Sequence, residues 1–172
     1  MFGYLKRRYC FLLLNHIYDN QTSKIAINKK NKYLRKMGNS IGNNVRVMGP
    51  LHSYCRLTIG DNTFIGTEFR CEGRGNVYIG SNCDIAPQVT ILTGTHEIGT
   101  SEKRAGKGIT ADVRIGNGCW VGARSIILPN INIGNGCIIG AGAVVTHDVP
   151  DNCKALGIPA KIFPIKDSKE DI

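Results

Sequence analysis

Residues 115–146 read IGNGCWVGARSIILPNINIGNGCIIGAGAVVT, and their spacing decides the fold. An aliphatic residue stands at every sixth position, Ile115, Val121, Ile127, Ile133, Ile139 and Val145, and a glycine follows four of them directly. Four places after each aliphatic comes another apolar or small residue: Cys119, Ser125, Ile131, Cys137, Ala143 and Val149. Six is neither the 3.6 period of a helix nor the period of two of a strand. Each hexapeptide is therefore a short strand plus a corner, and three of them close one coil of about eighteen residues.

Working outward, the same frame holds at Ile79, Ile85 and Ile91, with Cys83, Val89 and Thr95 in the fourth place, and earlier at Ile41, Val47, Ile59 and Ile65, with Ser53 as a weak member. Two departures carry information. Ile65 and Ile79 lie fourteen apart where the frame asks for twelve, so two residues bulge out near 72–75. Ile91 and Ile115 lie twenty-four apart, yet residues 97–110 (EIGTSEKRAGKGIT) are polar, glycine-rich and weakly patterned, which predicts a loop extruded from one corner. Loops extruded from a rigid solenoid are where function concentrates.

Stacked repeats leave open ends that need caps. The predicted organisation is a basic, partly helical cap over 1–38, the β-helix over 39–150 with its loop 97–110, and an irregular extension over 151–172 that contains Pro159 and Pro164. The chain's 42% apolar and 20% charged residues suit one compact domain. Its net charge of +9 is unevenly spread: residues 1–36 hold nine Lys/Arg against the single acid Asp19, whereas 37–172 hold thirteen against twelve. With Phe2, Tyr4, Leu5 and the run Phe11, Leu12, Leu13, Leu14 nearby, the basic segment suits either an anionic membrane surface or a solvated helix packed on the domain. Nucleic acid is disfavoured, because the basic residues stop where the repeats begin. No apolar stretch approaches the roughly 18 residues of a membrane span, and the short run after Lys6, Arg7 and Arg8 lacks a cleavage site, so a cytoplasmic protein is expected. The seven cysteines form no C-x-x-C pair and are read as buried free thiols, with Cys119 and Cys137 stacked one above the other.

The loop opened by Thr95-His96-Glu97, the run IGNGCWVGAR over 115–124, GAGAVVT over 140–146, DVP over 148–150 and GIPAK over 157–161 together resemble the hexapeptide-repeat O-acetyltransferases. Within them the likeness is greatest to the maltose, galactoside and polysaccharide enzymes, over roughly residues 40–164. The resemblance implies an all-β fold, a left-handed parallel β-helix, assembled as a homotrimer with active sites between subunits. It implies acetyl-CoA as donor, no metal, and His96 as the general base, since an imidazole of pKa near 6.5 can take the proton of an attacking alcohol. A backbone N–H would hold the oxyanion that develops. Cofactor contacts fall on Ala123, Gly140, Ala141, Thr146, His147 and Lys161, small residues admitting the pantetheine arm and the lysine suiting its phosphates. His147 stands where the family often has lysine, which predicts pH-dependent cofactor affinity.

On the acceptor side the pattern departs. Sugar acetyltransferases of this type carry an asparagine facing the histidine, and repeat alignment puts Gly66 in its place. Asn62, Glu68 or Glu72 could stand in for it, and Glu97 could orient His96. His16 and His52 have no motif support and are read as structural. The leading expectation is an O-acetyltransferase acting on a sugar or surface-polysaccharide precursor, and the membrane alternative for residues 1–36 would hold it peripherally at the inner membrane face. Transfer to an amine or to serine uses the same scaffold. A non-catalytic scaffold would not need GIPAK, and a carbonic-anhydrase-like site needs three converging histidines that His16, His52, His96 and His147 do not supply.

Overall fold

The computed structural model describes residues 9, 10, 12–17 and 23–165. From residue 40 the chain visits three faces in rotation. Face A is built from β1 (Ser40–Ile41), β4 (Arg56–Ile59), β7 (Asn76–Ile79), β12 (Val113–Ile115) and β15 (Asn132–Ile133). Face B takes β2 (Arg46–Val47), β5 (Phe64–Ile65), β8 (Asp84–Ile85), β13 (Trp120–Val121), β16 (Ile138–Ile139) and β18 (Cys153–Leu156), with β19 (Lys161–Pro164) antiparallel on its outer edge. Face C takes β3 (Leu51–Ser53), β6 (Phe69–Glu72), β9 (Thr90–Leu92), β14 (Ile126–Ile127) and β17 (Val144–Val145). Within each face these coil strands run parallel, so the molecule is a β-solenoid of triangular section.

Register follows the sequence frame. Arg46 pairs with Phe64 and Trp120 with Ile138, eighteen positions on. Phe64 pairs with Asp84, twenty on, which absorbs the two-residue bulge at 72–75. Asp84 pairs with Trp120, thirty-six on, because one coil's length of chain has left the prism. That excursion is a β-hairpin of β10 (Gly94–Ile98) and β11 (Ala105–Thr110), better ordered than the loop the sequence suggested and starting three residues earlier. Thr95, given an inward place by the frame, is consequently exposed on the hairpin.

The frame aliphatics and most of their fourth-place partners fill the prism, from Val45 and Val47 through Ile65, Ile85, Val121 and Ile139 to Val149, all of them buried. Cys83, Cys119 and Cys137 form a buried column whose thiols point at the Gly116, Gly134 and Pro150 carbonyls at 3.0–3.1 Å. A hydrogen bond from Cys119 holds the Cys83 thiol down to about 7, and that bond together with burial pushes Cys119 up. The free-thiol reading is corrected at two positions: Cys55 and Cys71, inward neighbours on successive coils with Cα atoms 5.8 Å apart, form a disulfide.

The N-terminal end is closed by a π-helical turn (Leu13–Ile17) and by α1 (Lys24–Lys36), whose N-cap Ser23 accepts from the Ala26 N–H. The first coil has no coil below it, so its backbone groups would be orphaned. Polar side chains of the cap take them up. Arg35 donates to the Ile41 and Gly42 carbonyls, Asn31 to Val45, and the fully buried Lys30 to Val47. Asn15 both donates to the Leu51 carbonyl and accepts from its N–H. Lys6, Arg7, Arg8, Phe2, Tyr4, Leu5, Phe11 and Asp19 lie outside the described residues, as does the end of the extension, 166–172.

Asn15→Ala should remove both partners of Leu51 and cost about 2 kcal/mol, on the scale of unsatisfied buried polar groups. Urea unfolding reads the loss, and native-state hydrogen exchange should place it at the Leu51 amide. A stability equal to the parent would contradict the capping role.

Candidate active site

The two irregularities of the sequence frame meet in space. The chain leaves face C at Thr93 and returns at Ala111, whose N–H donates to the Thr93 carbonyl at 2.9 Å. The buried Thr93 hydroxyl donates to the Glu72 carbonyl and accepts from the Gly75 N–H, so the bulge at 72–75 clamps the neck of the hairpin. A Cβ at Gly75 would lie 2.5 Å from the Ala111 carbonyl oxygen and 2.9 Å from the Thr93 Cβ, which only glycine avoids. Beside the neck, Asp112 accepts from both the backbone and side-chain nitrogens of Asn76, at 2.8 and 2.9 Å. Those bonds, the backbone one foremost, hold its carboxyl below the usual carboxylate range, with Arg114 adding to the effect at 3.8 Å.

His96 rides on this arm. It sits in β10 opposite Gly108, where an added Cβ would meet nothing within 4 Å, and every residue of β10 is exposed. Glu97 is exposed beside it and makes no hydrogen bond or ion pair to the imidazole, so the orienting role considered for it has no support in this geometry.

The residues assigned to the cofactor fall into two columns flanking face C, with Lys161 apart from both. Where face B turns into face C, Gly122, Ala123 and Arg124 lie under Gly140, Ala141 and Gly142, joined by the Gly142 N–H to the Ala123 carbonyl. Ala141 is exposed and a Cβ at Gly142 would meet nothing within 4 Å, so the corner is open at these two residues, whereas Gly140 lies against the Leu156 side chain. Where face C turns into face A, Thr146 Oγ1 and His147 Nδ1 are hydrogen-bonded at 2.9 Å, on the same side of the prism as the hairpin neck. Segment 157–160 pairs along the upper edge of β17, and Lys161 follows it, exposed, in β19.

The acceptor candidates are not brought together. Asn62 belongs to an asparagine ladder, donating to Asn82 and accepting from Asn44, at the corner between faces A and B. Glu68 lies at the corner between faces B and C, 3.1 Å from His52 and 3.5 Å from Arg70. That pairing gives His52 a partner and makes it more than a bystander. Gly66 is buried, and a Cβ there would approach the Ala86–Pro87 backbone to 2.6 Å, so this coil leaves little room for an asparagine side chain. The corner has a further peculiarity. Left-handed turn residues at the prism's other corners are all Asn or Gly, whereas here Glu68, Gln88 and Arg124 adopt that conformation on successive coils, with Arg124 Nε donating to Gln88 at 2.6 Å.

Sequence reasoning missed an open concavity on face B. Outward residues of face B, Phe64, Asp84 and Trp120, stack in register and with Ala86 and Pro87 line an open depression of about 420 Å³. Arg46 lies over the Phe64 ring at 5.2 Å. The signal was present: each of these residues immediately precedes an inward aliphatic of the frame, Ile65, Ile85 or Val121, so aligning the coils would have stacked them. Among the described residues no three His, Cys, Asp or Glu side chains gather as a metal site would require.

Residues 112–147 match the family described as bacterial transferase hexapeptide (six repeats). The galactoside O-acetyltransferase of Escherichia coli is 30% identical over 146 residues, covering 84% of this chain and 72% of that protein. Among solved structures, a maltose O-acetyltransferase from Clostridium difficile superposes with a TM-score of 0.74 at 30% identity, over 98% of this chain and 90% of that one. A galactoside acetyltransferase in complex with coenzyme A superposes with a TM-score of 0.76 at 26% identity, over 99% and 88%.

A native carboxyl below its unfolded pKa stabilises fully above about pH 4, and the contribution is lost as pH falls through the native value. Asp112→Ala should therefore cost about 1 kcal/mol, allowing for partial exposure, and flatten the acid limb of stability against pH. Urea midpoints between pH 2 and 7 test this; an acid limb identical to the parent's would contradict it.

Proposed function

The chain belongs to the hexapeptide-repeat acetyltransferases, and from that premise we propose that it transfers the acetyl group of acetyl-CoA to a hydroxyl of a sugar, with His96 as the general base. The observation that carries the reading is the hairpin, a two-stranded arm clamped at its neck that presents an exposed histidine beyond the prism. Acetyl-CoA would supply a thioester-activated acetyl carbon. The corner of Ala123, Gly140 and Ala141 is assigned to its extended pantetheine arm: Ala141 and the neighbouring Gly142 are open, where small residues expose backbone groups to an approaching ligand, and Gly140 beside them lies against Leu156. Thr146 and His147 offer a hydroxyl and an imidazole at the far edge of face C, and Lys161 a cation for the phosphates. His96 accepts the proton that the acceptor hydroxyl loses on attack, a role that contributes about 10²–10⁴ in rate.

Phe64 and Trp120 with Asp84 between them suit a sugar acceptor, two rings for an apolar sugar face and a carboxylate to accept from hydroxyls. The names of the galactoside and maltose relatives support the same class. A homotrimer with sites between subunits completes the proposal. Its support within this chain is the large apolar surface left uncovered, Ile98 at 90% exposure on the hairpin and Trp120 at 49% on face B. Packing one chain's arm against a neighbour's face would bury both.

His96→Ala should lower turnover about 10²–10⁴-fold while calorimetric acetyl-CoA binding is unchanged. Full activity in that variant would remove His96 as base, and failure of the folded wild type to bind acetyl-CoA would leave a scaffold as the better reading. Co-refolding His96→Ala with Trp120→Ala should restore activity above that of either alone, since some mixed trimers would carry an intact site. No recovery from verified mixed trimers would sink the shared site.

A further inference from the structure

We propose that the outward face of α1 is a docking surface for a bilayer containing anionic lipids. The helix divides its basic residues by task. Its inward side buries Ala26, Lys30, Asn31 and Leu34 against the first coil, and Lys30 and Arg35 are committed to backbone carbonyls there. Outside, Lys24, Asn28, Lys32 and Lys36 succeed one another at four-residue intervals, all exposed, with Lys29 exposed beside them and Ile25 at 69% exposure. A four-residue interval keeps side chains on one stripe of a helix.

This stripe works against the helix that carries it. Lys24 lies in the first turn, where the dipole disfavours a cation, and that turn holds no acid. Lys32 and Lys36 are like charges one turn apart, which destabilises an isolated helix. No Asp or Glu occurs from residue 20 to residue 60, so the helix itself supplies no acid at the i+3 or i+4 spacing that would neutralise the stripe. Capping accounts for Lys30 and Arg35, and the C-terminal end of the dipole and the Tyr33 ring for Lys36, but nothing within the helix accounts for Lys24 and Lys32. A surface of anionic headgroups does account for them, and it also accommodates the exposed apolar side chain of the helix, Ile25. Nucleic acid fits less well: the helix's one arginine is spent on the first coil, its lysines stand beside an exposed isoleucine, and its one aromatic, Tyr33, packs against the core under Lys36. Among the described residues no helix is long and apolar enough to cross a membrane, so the contact is peripheral.

The test is co-sedimentation of the full chain with vesicles of phosphatidylcholine alone or with 30% phosphatidylglycerol. Wild type should bind the anionic vesicles only, and 0.5 M NaCl should release it. The triple variant Lys24→Gln, Lys32→Gln, Lys36→Gln spares the capping residues and should bind about 100-fold more weakly, at roughly fivefold per lysine, while melting at the same temperature as wild type or above it. If the triple variant does not fold, Lys32→Gln alone should weaken binding about fivefold. No binding of wild type to anionic vesicles, equal binding by the folded variant, or binding to duplex DNA with none to vesicles would each overturn the proposal.

Discussion

Parallel pairing between one coil and the next is the constraint from which the rest of the molecule follows. Each coil's backbone N–H groups find their carbonyls on its neighbours, as when the Gly122 N–H meets the Ile139 carbonyl and the Gly66 N–H meets the Ile85 carbonyl. That requirement fixes where every corner must turn. Most corners use a residue in the left-handed region, and there Asn44, Asn62, Asn82, Gly118, Gly136 and Asn152 recur along one edge. Inside, the same constraint stacks chemically similar residues, so Cys83, Cys119 and Cys137 share a column and hand their thiols to carbonyls that the corners leave inward.

A ladder of this kind satisfies itself everywhere except at its ends, and the two ends are finished differently. At the top the chain folds back, β19 pairing with β18 on face B and segment 157–160 along face C. At the bottom, helical segments do the work with side chains: a helix has no spare backbone donors along its flank, so Asn15, Lys30, Asn31 and Arg35 reach out to the first coil. A fully buried lysine in an otherwise apolar cap follows from this. Its ammonium group is placed by the Val47 carbonyl, and its aliphatic stem packs within the cap.

The prism was legible in the sequence because inward positions recur at a period that no helix or simple strand produces. The aliphatics from Ile41 to Val145 were placed inward by spacing alone, and they are buried. Features set by contacts between coils were not legible. The Cys55–Cys71 bond depends on how the second coil lies on the first, and the ordering of residues 94–98 and 105–110 depends on the two strands finding each other. The basic N-terminus was read as one charge excess, whereas the structure separates cations that serve the cap from those that face outward. Of the candidate site, His96 and the small residues of the corner came from recognisable motifs. The Phe64, Asp84 and Trp120 depression carries no motif, being three residues from three coils whose only link is a shared place in the frame.

A regular solenoid has flat faces and tight corners, so it makes a site only where its regularity is broken. Here the two insertions in the frame are mutually dependent. The bulge at 72–75 brings the Gly75 N–H and the Glu72 carbonyl to the Thr93 hydroxyl, and without that clamp the neck of the hairpin would rest on the Thr93 to Ala111 bond and the Asp112 contacts alone. His96 lies three residues beyond Thr93 and pairs with Gly108 close to the root of the arm, so whatever fixes the neck also fixes the backbone that carries it. The regular part of the molecule thus supplies a rigid support, and its two irregularities together supply an arm with a fixed base. The hairpin carries His96, and the bulge adds two of the bonds that hold its neck.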